Sequence, residues 1–282
     1  MRQYYPILSI AGSDSSGGAG IQADIKTISA IGGYAMTAIT ALTAQSTVGV
    51  TDILSVGNKW LSAQINKVCS DIPPLAVKTG MIPDEEGIKT VAEAIKEWKL
   101  VNVVIDPVMV STSGSKLMSD SAVEALKKNL YPLATLLTPN RDEAVALTGV
   151  DDPEVQARVF HSEGCKAVLL KGGDSDRTDV KIDYLSIDGE PMAMLKADAV
   201  NTKNTHGTGC TLSAAIATYL GLGYSLETSV MRGKLFVTRA LEAGSFVTTG
   251  RGSGPVNHFF SPRRMKTFNP NRNENYDKWK GF

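Results

Sequence analysis

Cysteine is scarce in this chain: Cys69, Cys165 and Cys210 are the three that occur in 282 residues. They are odd in number, far apart, and without the spacing of metal-ligand pairs. This argues against a disulfide framework or a zinc site and points to a reducing compartment. Charge of one sign is missing too, since 29 basic residues balance 29 acidic ones. Zero formal net charge gives no footprint for nucleic acid or an anionic membrane surface, so neither partner is expected. No apolar run approaches the ~20 residues that a membrane span requires, and the N-terminal run from Pro6 stops at Gly12, too short for a targeting segment. The expected location is cytoplasmic. Hydrophobic residues at 43% and charged residues at 21% are ordinary for a globular protein and exclude a disordered or fibrous one.

What the chain does have is an alternation of strands and helices. Residues 6–11 form a short apolar run that ends in the turn-rich cluster Gly12-Ser13-Asp14-Ser15-Ser16-Gly17-Gly18-Ala19-Gly20. Ile21, Ile25, Ile28 and Ile31 then recur at helical spacing. Gly18, Gly20 and Ala23 match a G-x-G-x-x-A dinucleotide fingerprint. The context rejects that reading: the next strand, residues 35–44, ends without the acidic residue that would hold a ribose, and Asp14 would set a negative charge beside the pyrophosphate. A full Walker A motif is absent. Further strands are expected over 75–78, 101–105, 134–137 and 167–170, and helices over 60–68, 86–98 and 226–243. Residues 179–187 and 192–197 alternate as a hairpin, which predicts a small antiparallel edge. No repeat or linker divides the chain. The pattern predicts one α/β domain over residues 1–260, three layers deep (αβα) around a mainly parallel sheet. Residues 261–282 are polar and basic and read as a surface arm.

In parallel sheets ligands bind beyond the carboxyl ends of the strands, so residues at those ends are the candidates for function. Gln45 reads either as a donor-acceptor pair for a heteroaromatic ring edge or as a solvated loop side chain. Met81 follows Lys78-Thr79-Gly80 and offers a soft wall to a flat ligand. Asp106 ends a buried-type strand, where an unpaired carboxylate would be costly. Thr138-Pro139-Asn140 closes the next strand. Glu143 either holds a metal-bound water or serves the helix dipole. Lys171, before Gly172-Gly173-Asp174, can meet a phosphate as a point charge.

The stretch Asn204-Thr205-His206-Gly207-Thr208-Gly209-Cys210-Thr211-Leu212-Ser213-Ala214-Ala215 runs from a glycine-rich loop into an apolar helix. Gly207 and Gly209 allow close backbone approach, Thr208 and Thr211 are expected caps, and the first-turn N–H groups would face an anion. Cys210 lies in the same field, where a helix N-terminus lowers a thiol pKa and makes a base or nucleophile. The alternative is an ordinary turn with a small buried cysteine.

Taken together these motifs resemble the hydroxymethylpyrimidine and phosphomethylpyrimidine kinases of thiamine biosynthesis, in the ribokinase superfamily. The resemblance runs from about residue 6 to 260. It rests on 11–24 (Ala11-Gly12-Ser13-Asp14 through Gln22-Ala23-Asp24), Lys78-Thr79-Gly80-Met81, Asp106-Pro107-Val108-Met109, Thr138-Pro139-Asn140, Lys171-Gly172-Gly173 and 204–215. It implies a ribokinase-like fold with a pyrimidine pocket shaped by Gly12, Asp24, Gln45, Met81 and Val108. ATP phosphates would be held by Asn140, Lys171 and Gly207-Thr208-Gly209, and Mg²⁺ by Asp106 and Glu143 through water. Cys210 would be the base, in place of the aspartate of the superfamily's sugar kinases. A homodimer acting on a small-molecule substrate is implied. Ser46 departs from the family's more usual asparagine beside the ring pocket. The rival readings are a cysteine-type pyridoxal kinase and a non-catalytic ligand-binding protein derived from a kinase.

Overall fold

The computed structural model describes residues 1–110, 117–172 and 179–270. Gly173 and Asp174, and the arm beyond residue 270, lie outside the described residues.

A two-residue strand β1 (Gln3–Tyr4) precedes β2 (Pro6–Asp14). After α1 (Gly20–Ile31) come β3 (Tyr34–Ser46), β4 (Gly49–Ser55) and α2 (Asn58–Cys69). Then follow β5 (Ala76–Thr79), α3 (Glu85–Glu97), β6 (Val103–Ile105), α4 (Asp120–Asn129), β7 (Leu136–Leu137), α5 (Arg141–Thr148) and α6 (Pro153–Ser162). The chain closes with β8 (Ala167–Lys171), β9 (Val180–Ile187), β10 (Ala193–Asp198), α7 (Thr208–Gly221), α8 (Leu226–Gly244) and β11 (Thr267–Phe268). Nine strands form one sheet in the order β10-β9-β8-β7-β6-β5-β2-β3-β4. The pairs from β8 through β3 are parallel, while β8–β9, β9–β10 and β3–β4 are antiparallel.

Side chains of period two divide between the faces of the sheet. Val103 and Ile105 of β6 enter the core under α2 to α6, while Val104 enters the core under α1, α7 and α8. Val168 and Leu170 of β8 divide from Ala167 and Leu169 in the same way. A strand buried on both sides must be apolar throughout, which is why these strands read as continuous hydrophobic runs. Each fully buried Val, Leu or Ile contributes about 1.5–3 kcal/mol.

The register sets the carboxyl ends of the parallel strands level. Ile10 pairs with Thr79, Thr79 with Ile105, Ile105 with Leu137 and Leu137 with Val168. Residues just beyond this rung therefore share one edge of the sheet.

The structure departs from the sequence reading at several points. β3 continues to Ser46, so Gln45 belongs to the strand and not to a loop after it. It pairs with β4, a second antiparallel edge that was not foreseen because most of its residues face outward. Nor were α4 and α6 foreseen; α4 buries no more than Ala122, Ala125 and Leu126, too weak a stripe to read. The start of the expected surface arm is docked: β11 pairs with β1, and Phe268 lies 4.7 Å from Tyr5, ring to ring. Among the described residues no helix is long and apolar enough to cross a membrane.

Candidate active site

A cleft of about 590 Å³ opens at the carboxyl edge of the sheet. Its lining includes Gly12, Gln45, Met81 and Val108 together with Asn140, Lys171, Thr208 and Gly209. Asp106, Glu143, Gly207 and Cys210 lie along it as well. Residues from separate segments of the sequence thus meet in one space. Ser46 is exposed near the end of β3 and is not part of the lining.

Asp24 departs from the expectation. It is completely buried behind the cleft, where Oδ2 accepts from Ser9 Oγ (2.5 Å) and Lys78 Nζ (2.9 Å). Ligand does not reach a side chain so enclosed; Asp24 instead balances the charge of Lys78. Burial alone would pull the Lys78 pKa down, but Asp24 beside it reverses that, so the ammonium persists.

Asp106, at the end of β6, is 2% exposed. Oδ1 accepts from Lys171 Nζ (2.9 Å) and Thr138 Oγ1 (3.1 Å), and Oδ2 from Ser213 Oγ (3.1 Å). Burial pushes such a carboxyl up, but Lys171, Lys78 and Ser213 outweigh it and hold Asp106 below the usual carboxylate range. Lys171, which burial alone would discharge, is kept protonated by Asp106 and Glu143.

Glu143 and Asn140 form a capping box at the start of α5. Glu143 Oε2 accepts from the Asn140 N–H and Asn140 Oδ1 from the Glu143 N–H, both at 2.8 Å. Burial, with Asp106 adding to it, pushes the Glu143 carboxyl up to about 7. Asn140 Nδ2 has no protein partner among the described residues and stays available to a ligand.

The glycine-rich loop before α7 differs in detail from the sequence reading. Gly207 is the N-cap residue of α7, at φ 79°, and neither threonine caps the helix. Thr208 Oγ1 donates back to the Thr205 carbonyl (3.1 Å) and Thr211 Oγ1 to the Gly207 carbonyl (2.8 Å). Side-chain hydroxyls engaged as donors leave the amides alone: the N–H groups of Gly209 and Cys210 have no backbone partner among the described residues. Free amides at the positive end of a helix constitute an anion site. Lys171 Nζ lies over Gly209, 3.4 Å from where a Cβ would stand.

The expected low thiol pKa is not found. Burial dominates at Cys210 and pushes the thiol up to about 11; Lys78 and the Gly20 N–H oppose it, while Asp24 and Asp106 add to it. The group is a thiol at neutral pH. Desolvation of the sulfur outweighs whatever the helix N-terminus contributes.

Sequence reasoning missed Lys78, Ser213 and the pair Asp14–His206. Lys78 carried a signal, since a lysine at the end of the apolar strand Leu75-Ala76-Val77 needs a buried partner. Asp14 was read solely as a charge hostile to phosphate. In the structure its carboxylate is spent on Ser16, Gly18, Ala19 and His206.

A sequence model of the family described as phosphomethylpyrimidine kinase matches residues 14–257. The hydroxymethylpyrimidine/phosphomethylpyrimidine kinase of Rhizobium meliloti is 45% identical over 261 residues, 89% of this chain and 96% of that protein. The thiamine biosynthesis bifunctional protein ThiED of Geobacter sulfurreducens is 45% identical over 265 residues; these are 92% of this chain but 53% of ThiED, so the chain spans about half of that larger protein. The structure of Bacillus subtilis pyridoxal kinase in complex with ADP superposes with a TM-score of 0.83 at 35% identity, covering 91% of this chain and 98% of that one. With a match over most of its length and relatives at this level of identity, the chain belongs to the phosphomethylpyrimidine kinase family.

Proposed function

We propose that the protein transfers the γ-phosphoryl group of ATP to the hydroxymethyl group of 4-amino-5-hydroxymethyl-2-methylpyrimidine, and a second phosphoryl group to the resulting monophosphate, in thiamine biosynthesis. The observation that carries this reading is the pair of amides at Gly209 and Cys210, without a backbone partner among the described residues, beside Lys171 in the same cleft as Gln45 and Met81. Residues 1–260 act as one ribokinase-like catalytic domain.

In this reading Met81 and Val108 flank the pyrimidine ring, Gly12 lets it approach the backbone, and the Gln45 amide bonds its edge. Asn140, Lys171 and the Gly207-Thr208-Gly209 loop hold the ATP phosphates. Asp106 keeps Lys171 aimed and charged. The substrate oxygen bonds to the γ-phosphorus while the bond to the β–γ bridging oxygen breaks. The proton leaves for the Cys210 sulfur and ADP departs. Phosphoryl transfer asks a protein mainly for positioning and charge neutralisation, so the amides and Lys171 supply the larger share. With its pKa at about 11, thiolate is on the order of one part in 10⁴ at pH 7.

Mg²⁺ fits this residue set as a hydrated ion. Asp106 and Glu143 are hard oxygen donors whose mutual repulsion a cation relieves. Among the described residues no group of three or more His, Cys, Asp or Glu that could hold a metal ion is present. Held by Asp106 and Glu143 through water, the ion would neutralise charge that develops on the transferring phosphoryl oxygens.

The cysteines are unpaired, which suits action in the cytoplasm. A homodimer is part of this reading; Leu42 and Leu54, partners across β3 and β4, are 45% and 65% exposed on an edge hairpin and available for self-association, which light scattering tests. A pyridoxal kinase is the second reading, supported by the close superposition on the Bacillus subtilis enzyme. A coupled ADP-release assay over hydroxymethylpyrimidine, its monophosphate, pyridoxal and ribose decides. Highest kcat/KM for the pyrimidines is expected, highest for pyridoxal selects the rival, and no ADP release with any alcohol indicates a non-catalytic ligand-binding protein.

A further inference from the structure

We infer that Asp14 and His206 form a positioning couple that fixes the orientation of the Gln45 amide in the cleft. The inference rests on the reading of the cleft given above.

Asp14 is 2% exposed and saturated with donors. Oδ1 accepts from Ser16 N–H (2.8 Å) and Ser16 Oγ (2.7 Å); Oδ2 accepts from Gly18 N–H (3.0 Å), Ala19 N–H (2.8 Å) and His206 Nε2 (2.8 Å). Burial would raise its pKa, but the hydrogen bonds from His206, Ser16 and Ala19 carry it well below the usual carboxylate range. An ionised carboxylate accepts and does not donate, so His206 Nε2 carries the proton in this contact.

That assignment reaches Gln45. Its amide nitrogen is placed 3.4 Å from His206 Nε2 and its oxygen 3.0 Å from Thr43 Oγ1. Two N–H groups cannot bond each other. Turned by 180°, the amide presents Oε1 to the His206 N–H, whose one proton goes mainly to Asp14 and is shared with Gln45 at longer range, and Nε2 to Thr43 Oγ1, while the single Thr43 proton goes to the Ser13 carbonyl 3.0 Å away. The opposition of two N–H groups is then removed. His206 thus decides whether a ring edge in the cleft meets the Gln45 amide one way round or the other.

The same histidine joins two loops. Its backbone N–H donates to the Gly254 carbonyl (3.0 Å). Its ring lies so close to Gly18 that a Cβ there would collide with Cδ2, and a Cβ on Gly207 would run into the Gly18 carbonyl oxygen. The loop after β2, which borders the cleft, and the loop before α7, which carries the free amides, meet backbone to backbone with Asp14–His206 as their polar link. Asp14 and His206 line the cleft beside Gln45, and the couple acts on the ring edge by orienting the Gln45 amide.

The test is steady-state kinetics of His206→Ala, His206→Gln, Gln45→Ala and the double variant His206→Ala/Gln45→Ala, with thermal melts to confirm folding. His206→Ala is expected to raise KM for the pyrimidine about tenfold while KM for ATP stays within about twofold. His206→Gln, which retains a donor, restores most of that loss. In the double variant KM is no higher than in Gln45→Ala, because the effect of His206 on the ring runs through the Gln45 amide. Equal rises in both KM values, or His206 and Gln45 effects that multiply, overturn the inference. The wild-type protein gives a readout free of folding: ¹⁵N-edited NMR of the His206 ring should show a proton on Nε2 across pH 6–9, and an Nδ1-only tautomer overturns the couple. If the wild type phosphorylates another alcohol and no pyrimidine, the functional reading falls while the couple is judged by the ring signal and by KM for that alcohol.

Discussion

Lys78 Nζ and Asp24 Oδ2 lie 2.9 Å apart with both side chains at zero exposure, forming an ion pair enclosed between β5 and α1. Gly80 accommodates it: a Cβ there would stand 2.7 Å from Lys78 Nζ. A pair with no access to water is stable while intact and costly to break from one side.

Lys78→Met should therefore destabilise the fold by about 3–5 kcal/mol, since Asp24 is left buried without its partner. Lys78→Met/Asp24→Asn should regain most of that loss. Urea denaturation of the two variants measures both; equal losses would mean that the pair does not act as a unit.

Cys210→Ala should lower kcat by about 10²–10⁴ with both KM values retained, the range for losing a general base. Because burial pushes the thiol up to about 11, wild-type kcat should also climb with pH, close to tenfold per unit from pH 7 to 9. Stopped assays across that range check it. A flat profile would leave Cys210 as a hydrogen-bond donor and remove it as the base.

Glu143 titrates near 7 in the folded chain against an ordinary 4.5. Between those values the folded state holds a proton that the unfolded chain releases, so stability falls as pH rises from about 4.5 to 7 and levels off above. Glu143→Gln keeps a capping-box partner without this loss. Its melting temperature relative to wild type should rise over the same window and plateau at pH 8. A difference that does not vary with pH would contradict the buried carboxyl.

Gln45→Ala should raise KM for the pyrimidine with little change in KM for ATP. An unaltered pyrimidine KM would show that the ring edge is bonded elsewhere.

The strands around the cleft were legible because burial on both faces demands continuous apolar runs, as in Val103-Val104-Ile105. β4 and α4 were not, since each buries too few residues to leave a period. Asn140, Lys171 and Cys210 were legible as candidates because strand ends and a glycine-rich helix start are marked locally. Asp24 was misplaced for a related reason: a carboxylate in a recognised motif says nothing about which side of its helix faces the cavity.

By itself the sequence determined the alternation of apolar runs, the glycine loop before α7 and the kinase family to which the chain belongs, all carried by neighbouring residues. Tertiary structure alone decided the state of the charges. Lys78 meets Asp24 across 54 positions and His206 meets Asp14 across 192. Whether Cys210 is thiol or thiolate depends first on its burial and then on Lys78, Asp24 and Asp106, brought to it from other elements. Desolvation and Coulomb energy depend on distance in space, and no local pattern of residues encodes that distance.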